Sequence, residues 1–329
     1  MFRRNCFVVS LLVVSMVIFL SGSCSAVPEM APPSPPAGGA ESALSLGQAT
    51  VLGIVEGLTE YLPVSSTGHL LLAERVMGIG ANPDATAEQN QRIKEASDAY
   101  TICIQAGAII AVLGLYFRRV RQMLLGLAGK DSDGRRLLIN VIAGFLPAAV
   151  IGLLFNKLIK SYLFGSWPVI LAWLVGGLAI LAVSWWNKSQ DRSNHGGLPL
   201  DELSWRMALI IGFAQCIAMW PGVSRSLVTI VGGLLVGLSL PAAVEFSFLL
   251  GLITLSAATG YDTLKHGQLM LQTFDARSLA VGVLFALVAA VLSVKWMVGY
   301  LNRHGLAIFG YYRVALALVA GALLLSGAL

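Results

Sequence analysis

Charge is scarce in this chain. Of its 329 residues only 12% are Asp, Glu, Lys or Arg, against roughly 25% in an ordinary soluble domain. Cysteine is scarce as well. Cys6, Cys24, Cys103 and Cys216 form no CxxC pair, so neither zinc ligation nor a disulfide framework is expected, and free, buried thiols are the plain reading. There is no basic helix and no basic patch interleaved with aromatics, so the net charge of +5 does not point to nucleic acid.

What the chain has instead is apolar sequence in long blocks. It is 57% hydrophobic with a mean hydropathy of +0.78. Six stretches, about 99–117, 137–155, 168–186, 243–261, 278–298 and 306–328, match the length that crosses a hydrocarbon core of ~30 Å. The expected class is an all-α polytopic membrane protein.

The ends of the chain read differently. Residues 1–26 have the form of a signal peptide: Arg3 and Arg4, an apolar core from Phe7 to Leu20, and a small-residue cleavage site at Cys24-Ser25-Ala26. Residues 27–41 carry Pro28, Pro32, Pro33, Pro35 and Pro36 before Gly38-Gly39, the composition of an extended, disordered linker. The membrane domain is expected over 42–329, with the polar stretch 80–97 in water.

Two apolar segments are interrupted. Residues 44–79 contain Glu56, Glu60, Pro63, Ser65, Ser66, Gly68 and His69; residues 207–240 contain Trp220-Pro221-Gly222, Ser224, Arg225 and Ser226. Helix, break and second helix is the expected form of each, a re-entrant hairpin. At an offset of 159, Gly53 matches Gly212, Glu56 matches Gln215, and Val64-Ser65 matches Val223-Ser224. Three full spans follow each broken segment. The expected plan is an inverted-topology repeat, with halves of about 42–190 and 200–329, each one re-entrant hairpin plus three transmembrane helices. With the N-terminus outside, the inner loops hold eleven Lys and Arg and the outer loops seven, which is the positive-inside bias.

The interruptions carry the chemistry. Glu56 and Glu60 are four apart and share a helix face among apolar neighbours. Two carboxylates there need a cation or protons in compensation. A divalent-cation site for Mg²⁺ or Ca²⁺, a proton-handling pair, or one carboxylate paired with an arginine are the open readings. Ser65 or Ser66 is placed to open the next helix, whose free N–H groups suit a phosphate, although capping alone would explain Ser65. Ser66 and His69 are one turn apart, so the imidazole is within reach of the hydroxyl, and such a pair can form a phosphoryl intermediate. Arg225 lies in an apolar stretch with no acidic residue between Glu202 and Glu245; it is a fork for phosphate oxygens, an ion pair with Glu56 or Glu60 holding the two halves together, or both. Thr67, Ser224, Ser226 and Thr229 can add donors, and Gln105 is expected to face the site. Glu245 and Arg313, inside spans, are expected to pair structurally. Trp185, Trp186, Trp296, Tyr300 and Tyr261 fall near span ends as interface anchors.

These residues carry a family resemblance over about 42–329. The run from Gly53 to His69, with Glu56, Glu60, Pro63, Ser65, Ser66, Thr67 and Gly68 in place, closely resembles the first signature of bacterial undecaprenyl-diphosphate phosphatases, the bacitracin-resistance family. Trp220-Pro221-Gly222-Val223-Ser224-Arg225-Ser226 resembles the second, and Glu245 to Leu250 and Gln105 to Ile109 look like further family segments. The chain departs from the family at Leu227-Val228, where Gly-Ala is usual, and in its longer 80–97 loop. The resemblance implies removal of the terminal phosphate of undecaprenyl diphosphate, giving the lipid carrier of cell-wall synthesis, and a divalent cation as cofactor. It implies catalytic roles at Glu60, Ser66, His69 and Arg225, with Ser66 or His69 as nucleophile, metal ligation by Glu56 and Glu60, and substrate binding at Ser65. It also implies a place in the bacterial inner membrane with the site open to the outer, periplasmic face, and a link to bacitracin through the shared substrate. A homodimer is compatible with it. The Lys/Arg-Pro and Ser-Gly-His signatures of acid-phosphatase-type lipid phosphatases are absent. A transporter of a lipid phosphate or small anion is the alternative, because the inverted repeat is also a transporter plan.

Overall fold

The computed structural model describes residues 44–79, 87–163, 165–189 and 196–327. The signal peptide and linker read from residues 1–41 lie outside the described residues. Eleven α-helices make up the rest, with no named strand among the described residues. In chain order they are α1 (Leu46–Thr59), α2 (Ser66–Val76), α3 (Ala87–Leu115), α4 (Phe117–Leu127), α5 (Ser132–Leu163), α6 (Ser166–Ser189), α7 (Trp205–Cys216), α8 (Arg225–Leu235), α9 (Leu240–Thr273), α10 (Ala276–His304) and α11 (Ala307–Leu325).

Six of them are long and apolar enough to cross a membrane, over Lys94–Leu115, Ser132–Phe155, Ser166–Trp186, Leu240–Lys265, Ala276–His304 and Ala307–Leu325. All six expected stretches are present, so the chain has the build of a multi-pass membrane protein. The helices are longer than the apolar runs because helical hydrogen bonding continues past the hydrocarbon. Residues 87–97, expected only as polar loop, form the first turns of α3; Ala, Glu, Gln, Arg and Lys dominate there, and all are good helix formers. The Arg-rich stretch after residue 117, read as a loop, contains the helix α4.

The two interrupted segments are helix–break–helix units. Ser45 opens α1 with a capping box: its hydroxyl accepts from the Gln48 amide N–H at 3.2 Å, and its own N–H donates to Gln48 Oε1 at 2.9 Å. The helix stops at Thr59, four residues before Pro63, which has no N–H to continue the ladder. Ser204 caps α7 with its side chain alone, accepting from Met207 N at 3.3 Å. Each break ends on a serine with positive φ, Ser65 at 75° and Ser224 at 78°, and a new helix begins at the next residue. These are the only non-glycine residues with positive φ among those described.

The units pack reciprocally. α1 lies on α10, a span of the second half, and α7 lies on α5, a span of the first. In lipid there is little hydrophobic drive between helices, so close packing across small residues does the work. A Cβ on Gly53 would overlap the Gly282 carbonyl, and one on Gly212 would overlap the Gly144 carbonyl. α3 packs on α9 and α6 on α11. α9 is the most enclosed span; its Phe246, Phe248, Leu249 and Leu250 are fully buried.

The expected Glu245–Arg313 pair does not form. Glu245 accepts from Arg119 Nε at 2.7 Å. Arg313 is fully buried among backbone carbonyls instead, because α11 places it against the two breaks rather than beside α9.

Candidate active site

The breaks bring two distant parts of the chain together. Arg225, first residue of α8, donates from Nη2 to Glu60 Oε1 at 3.1 Å and from Nη1 to the Ser247 carbonyl at 3.0 Å. Its guanidinium carbon lies 5.5 Å from the centre of the Tyr61 ring, a distance at which a cation is attracted by the ring face. Glu60 is shared: its other oxygen accepts from Ser66 Oγ at 2.5 Å. One buried carboxylate therefore joins a hydroxyl at a helix start to a guanidinium from the other half. Gly251 of α9 gives Arg225 its room, since a Cβ there would overlap Nη1.

Ser66, Glu60 and Arg225 border a cavity of about 570 Å³. Ser65, Thr67, Gln105 and Ser224 border it as well, as do Gln215, Thr254, Tyr261 and Asp262. Apolar side chains of α5 and α9, among them Phe145, Leu153 and Leu255, complete the wall. Tyr261, read as an interface anchor, belongs to this wall. A few polar groups in an otherwise apolar cleft are the usual form of a small-molecule site.

Other expected site residues stand behind the wall. Glu56 is completely buried, and neither carboxylate oxygen has a hydrogen-bond partner. His69 is buried and does not reach Ser66. Its Nδ1 faces the Ser65 carbonyl at 2.6 Å and its Nε2 faces the Tyr312 hydroxyl at 2.7 Å. Ser226 donates to the Leu62 carbonyl at 2.8 Å, and Thr229 pairs with the Ser247 hydroxyl at 2.6 Å while donating to the Arg225 carbonyl at 2.9 Å. These contacts fasten the second break and α8 to the first break and α9. Ser224 Oγ caps α8 by accepting from Leu227 N at 3.3 Å, whereas the Ser65 side chain makes no such cap to α2.

Sequence reasoning gave no active-site role to Tyr312 and Arg313. Arg313 Nη2 donates to the carbonyls of Gly222 and Ala172, each at 2.8 Å, Nη1 to Pro63 at 3.3 Å, and Nε to Trp173 at 3.4 Å. One guanidinium thus ties both breaks to α6. The available signal was an arginine in a span with no carboxylate in its own helix.

Glu56 and Glu60 are the carboxylates expected to hold a divalent cation, Asp262 is a further carboxylate on the cavity wall, and no group of three or more His, Cys, Asp or Glu side chains converges among the described residues. Paired carboxylates are a donor set that suits Mg²⁺, which commonly takes one or two carboxylates and completes its shell with water and substrate phosphate; of the two only Glu60 borders the cavity. The unpartnered Glu56 oxygens are the observation in favour of a cation there.

Comparison with known proteins gives a consistent answer. The family model for "Bacitracin resistance protein BacA" matches residues 49–319. A protein of Sorangium cellulosum named undecaprenyl-diphosphatase is 43% identical over 269 residues, covering 82% of this chain and 83% of the relative. Undecaprenyl-diphosphatase 2 of Rhodospirillum rubrum is 42% identical over 85% of this chain and 95% of its own. Undecaprenyl-diphosphatase of Nitrosomonas europaea is 41% identical over 84% and 93%.

Proposed function

The chain belongs to the bacitracin resistance protein BacA family, and on that premise we propose that it is an undecaprenyl-diphosphatase. It hydrolyses undecaprenyl diphosphate to undecaprenyl phosphate and inorganic phosphate, recycling the carrier lipid. Lowering the pool of the diphosphate lipid links the activity to bacitracin through their shared substrate.

The observation that carries the reading is the Ser66–Glu60–Arg225 constellation at the cavity wall. We infer that the diphosphate lies against it, with the prenyl chain along the apolar side of the cavity. Ser66 Oγ attacks the terminal phosphorus, and its proton passes to Glu60, the group already holding it. The bond from that phosphorus to the bridging oxygen breaks, and undecaprenyl phosphate leaves. The proton on Glu60 passes to the departing lipid phosphate; water, deprotonated by the freed Glu60, then attacks the phosphoserine, and inorganic phosphate is released as Glu60 returns that proton to Ser66 Oγ. Arg225 supplies fixed positive charge beside the phosphoryl oxygens, the main form of catalysis in such transfers. Glu56 and Glu60 would hold the divalent cation, which when bound neutralises diphosphate charge. His69 fixes the Ser65 carbonyl and so the start of α2; both its ring nitrogens are engaged, which favours Ser66 over His69 as nucleophile.

The two breaks are read as re-entrant hairpins and the two halves as an inverted repeat. Supporting this are the matched positive-φ serines 159 residues apart and the reciprocal packing of α1 on α10 and α7 on α5. The proposed setting is the bacterial inner membrane, with the cavity open to the outer face, where Asp262 and Tyr261 lie at the end of the apolar part of α9. All named site residues come from one chain, so a homodimer is not needed for the chemistry.

The test is phosphate release from the C55 diphosphate by purified protein with Mg²⁺ or Ca²⁺, together with trapping of labelled phosphoenzyme. Label on Ser66, and none in Ser66→Ala, is expected. Label on His69 would remove Ser66 from the nucleophile's role, and binding without phosphate release would favour a carrier over an enzyme.

A further inference from the structure

The connection between spans α3 and α5 has a divided surface. In α4, Met123 and Gly126 are buried against the protein. Phe117, Leu124 and Leu127, spaced i, i+7 and i+10, share one flank and are 58%, 60% and 73% exposed. Arg118 and Arg121, both exposed, lie on the adjoining flank, with Arg121 one turn from both Phe117 and Leu124. Neither forms an ion pair among the described residues, and the same holds for Lys130 and Arg135 just beyond the helix. Arg119 is different: it turns inward to Glu245, Gln122 and Asp201. Residues 117–136 hold six basic and two acidic residues. Of the acidic pair, Asp133 faces Arg136 at 3.5 Å and Asp131 accepts from Gly134 N at 2.8 Å.

The helix is not free to roll and hide its apolar flank. A Cβ on Gly126 would overlap the Arg135 backbone N, and one on Gly134 would overlap the Gln122 carbonyl. α4 therefore lies backbone to backbone on the start of α5. A fixed helix with one apolar and one basic flank, at the junction of two spans, is built for the boundary between acyl chains and headgroups. Cationic side chains at that level attract anionic lipids.

We propose that α4 and the turn after it form a binding site for an anionic glycerophospholipid. Its acyl chains cover Phe117, Leu124 and Leu127, and its phosphate meets Arg118 and Arg121, with Lys130 and Arg135 adding charge. This site is distinct from the cavity above. Leu153 borders the cavity near the far end of the α5 span, ~27 Å along the helix axis from Arg135 at 1.5 Å per residue. The proposal does not depend on the phosphatase reading.

The experiment is thermal melting of the purified full-length protein in detergent, titrated with dioctanoyl phosphatidylglycerol or dioctanoyl phosphatidylcholine. Lipid that binds the folded state raises the midpoint, and the concentration dependence gives an apparent Kd. Phosphatidylglycerol is expected to bind the wild type more tightly than phosphatidylcholine, and less so as salt is raised. In Arg118→Gln/Arg121→Gln its Kd should rise about fivefold per arginine. Arg277→Gln, at the opposite end of α10, should leave the Kd unchanged, and phosphate release should survive in both variants. Equal stabilisation of the wild type by the two lipids would overturn the proposal. So would an unchanged phosphatidylglycerol Kd in the double variant, which would place the lipid elsewhere, the Arg225 cavity included.

Discussion

The guanidinium of Arg225 and the carboxylate of Glu60, 165 residues apart in the chain, meet at 3.1 Å with their side chains only 10% and 6% exposed. A pair this enclosed gains from its charge only while both partners are present, since either one alone is a buried, uncompensated ion. Arg225→Ala is therefore expected to lower both phosphate release and stability. Arg225→Lys keeps the charge but loses the fork that spans Glu60 and the Ser247 carbonyl. It should retain most of the melting temperature while losing at least ~10-fold in kcat. Equal activity in Arg225→Lys and wild type would exclude the fork.

Ser66 and Glu60 act as one unit in the proposed chemistry, so their losses should not add. Ser66→Ala and Glu60→Gln are each expected to reduce phosphate release at least ~100-fold, and the double variant little further. His69→Gln should cost less, because His69 touches neither Ser66 nor the cavity. A His69 variant as inactive as Ser66→Ala would reverse that assignment.

Backbone strain at Ser65 gives a stability prediction. A non-glycine residue held at φ 75° stores about 1–3 kcal/mol, which glycine does not incur. Ser65→Gly should raise the melting temperature in detergent while lowering activity, because the hydroxyl at the cavity wall is lost. Ser65→Val, β-branched at the same φ, should lower it. A melting temperature that falls in Ser65→Gly would mean the strain is not relieved there.

Room for Arg225 is set by Gly251. Gly251→Val would drive its Cβ into the guanidinium and is expected to cost activity nearly as much as Arg225→Ala while the rest of α9 stays packed. Wild-type activity in this variant would show that the arginine has another resting place.

Divalent-cation dependence tests the role of Glu56. Chelation should abolish phosphate release, and added Mg²⁺ or Ca²⁺ should restore it. Glu56→Gln removes charge without changing size, and should raise the metal concentration needed for half activity by about tenfold or more. An unshifted metal requirement would leave Glu56 a buried acid with no cation to balance.

Arg313 offers a separate handle on the breaks. Arg313→Met removes donors to four carbonyls, two of them in the breaks, at Pro63 and Gly222. Each buried carbonyl left unpaired costs about 1–3 kcal/mol. Lower stability is expected, with kcat falling more than KM rises, since the residue does not border the cavity. A change confined to KM would mean it bears on the lipid rather than on the loops.

Much of this was legible in one dimension. The six spans follow from apolar runs, because a bilayer demands about twenty such residues per crossing. The two breaks follow from Pro63 and Pro221-Gly222 with serines beside them, because proline and positive φ end helices wherever they occur. An ion pair of Arg225 with Glu56 or Glu60, alongside a fork for phosphate, was legible in the sequence; the structure shows that the partner is Glu60. The sequence could not say that Glu60, not His69, holds the Ser66 hydroxyl. One-turn spacing puts His69 within reach of Ser66, Glu60 lies six residues away across the break, and the choice depends on where Tyr312 stands, 243 residues from His69. The same limit hid Arg313, whose partners are backbone carbonyls without a sequence signature, and left α4 as a loop.

By itself, then, the sequence determined the class, the number of helices long and apolar enough to cross a membrane, the places where helices break and the residue types at those breaks, since each follows from local solvation and backbone sterics. Only the tertiary structure decided which of those residues touch: Glu60 with Ser66 and Arg225 at the cavity, Glu56 and His69 behind it, and Arg313 bracing both loops. Such contacts depend on how close helices approach across Gly53, Gly212 and Gly251, a matter of packing between segments far apart in the chain.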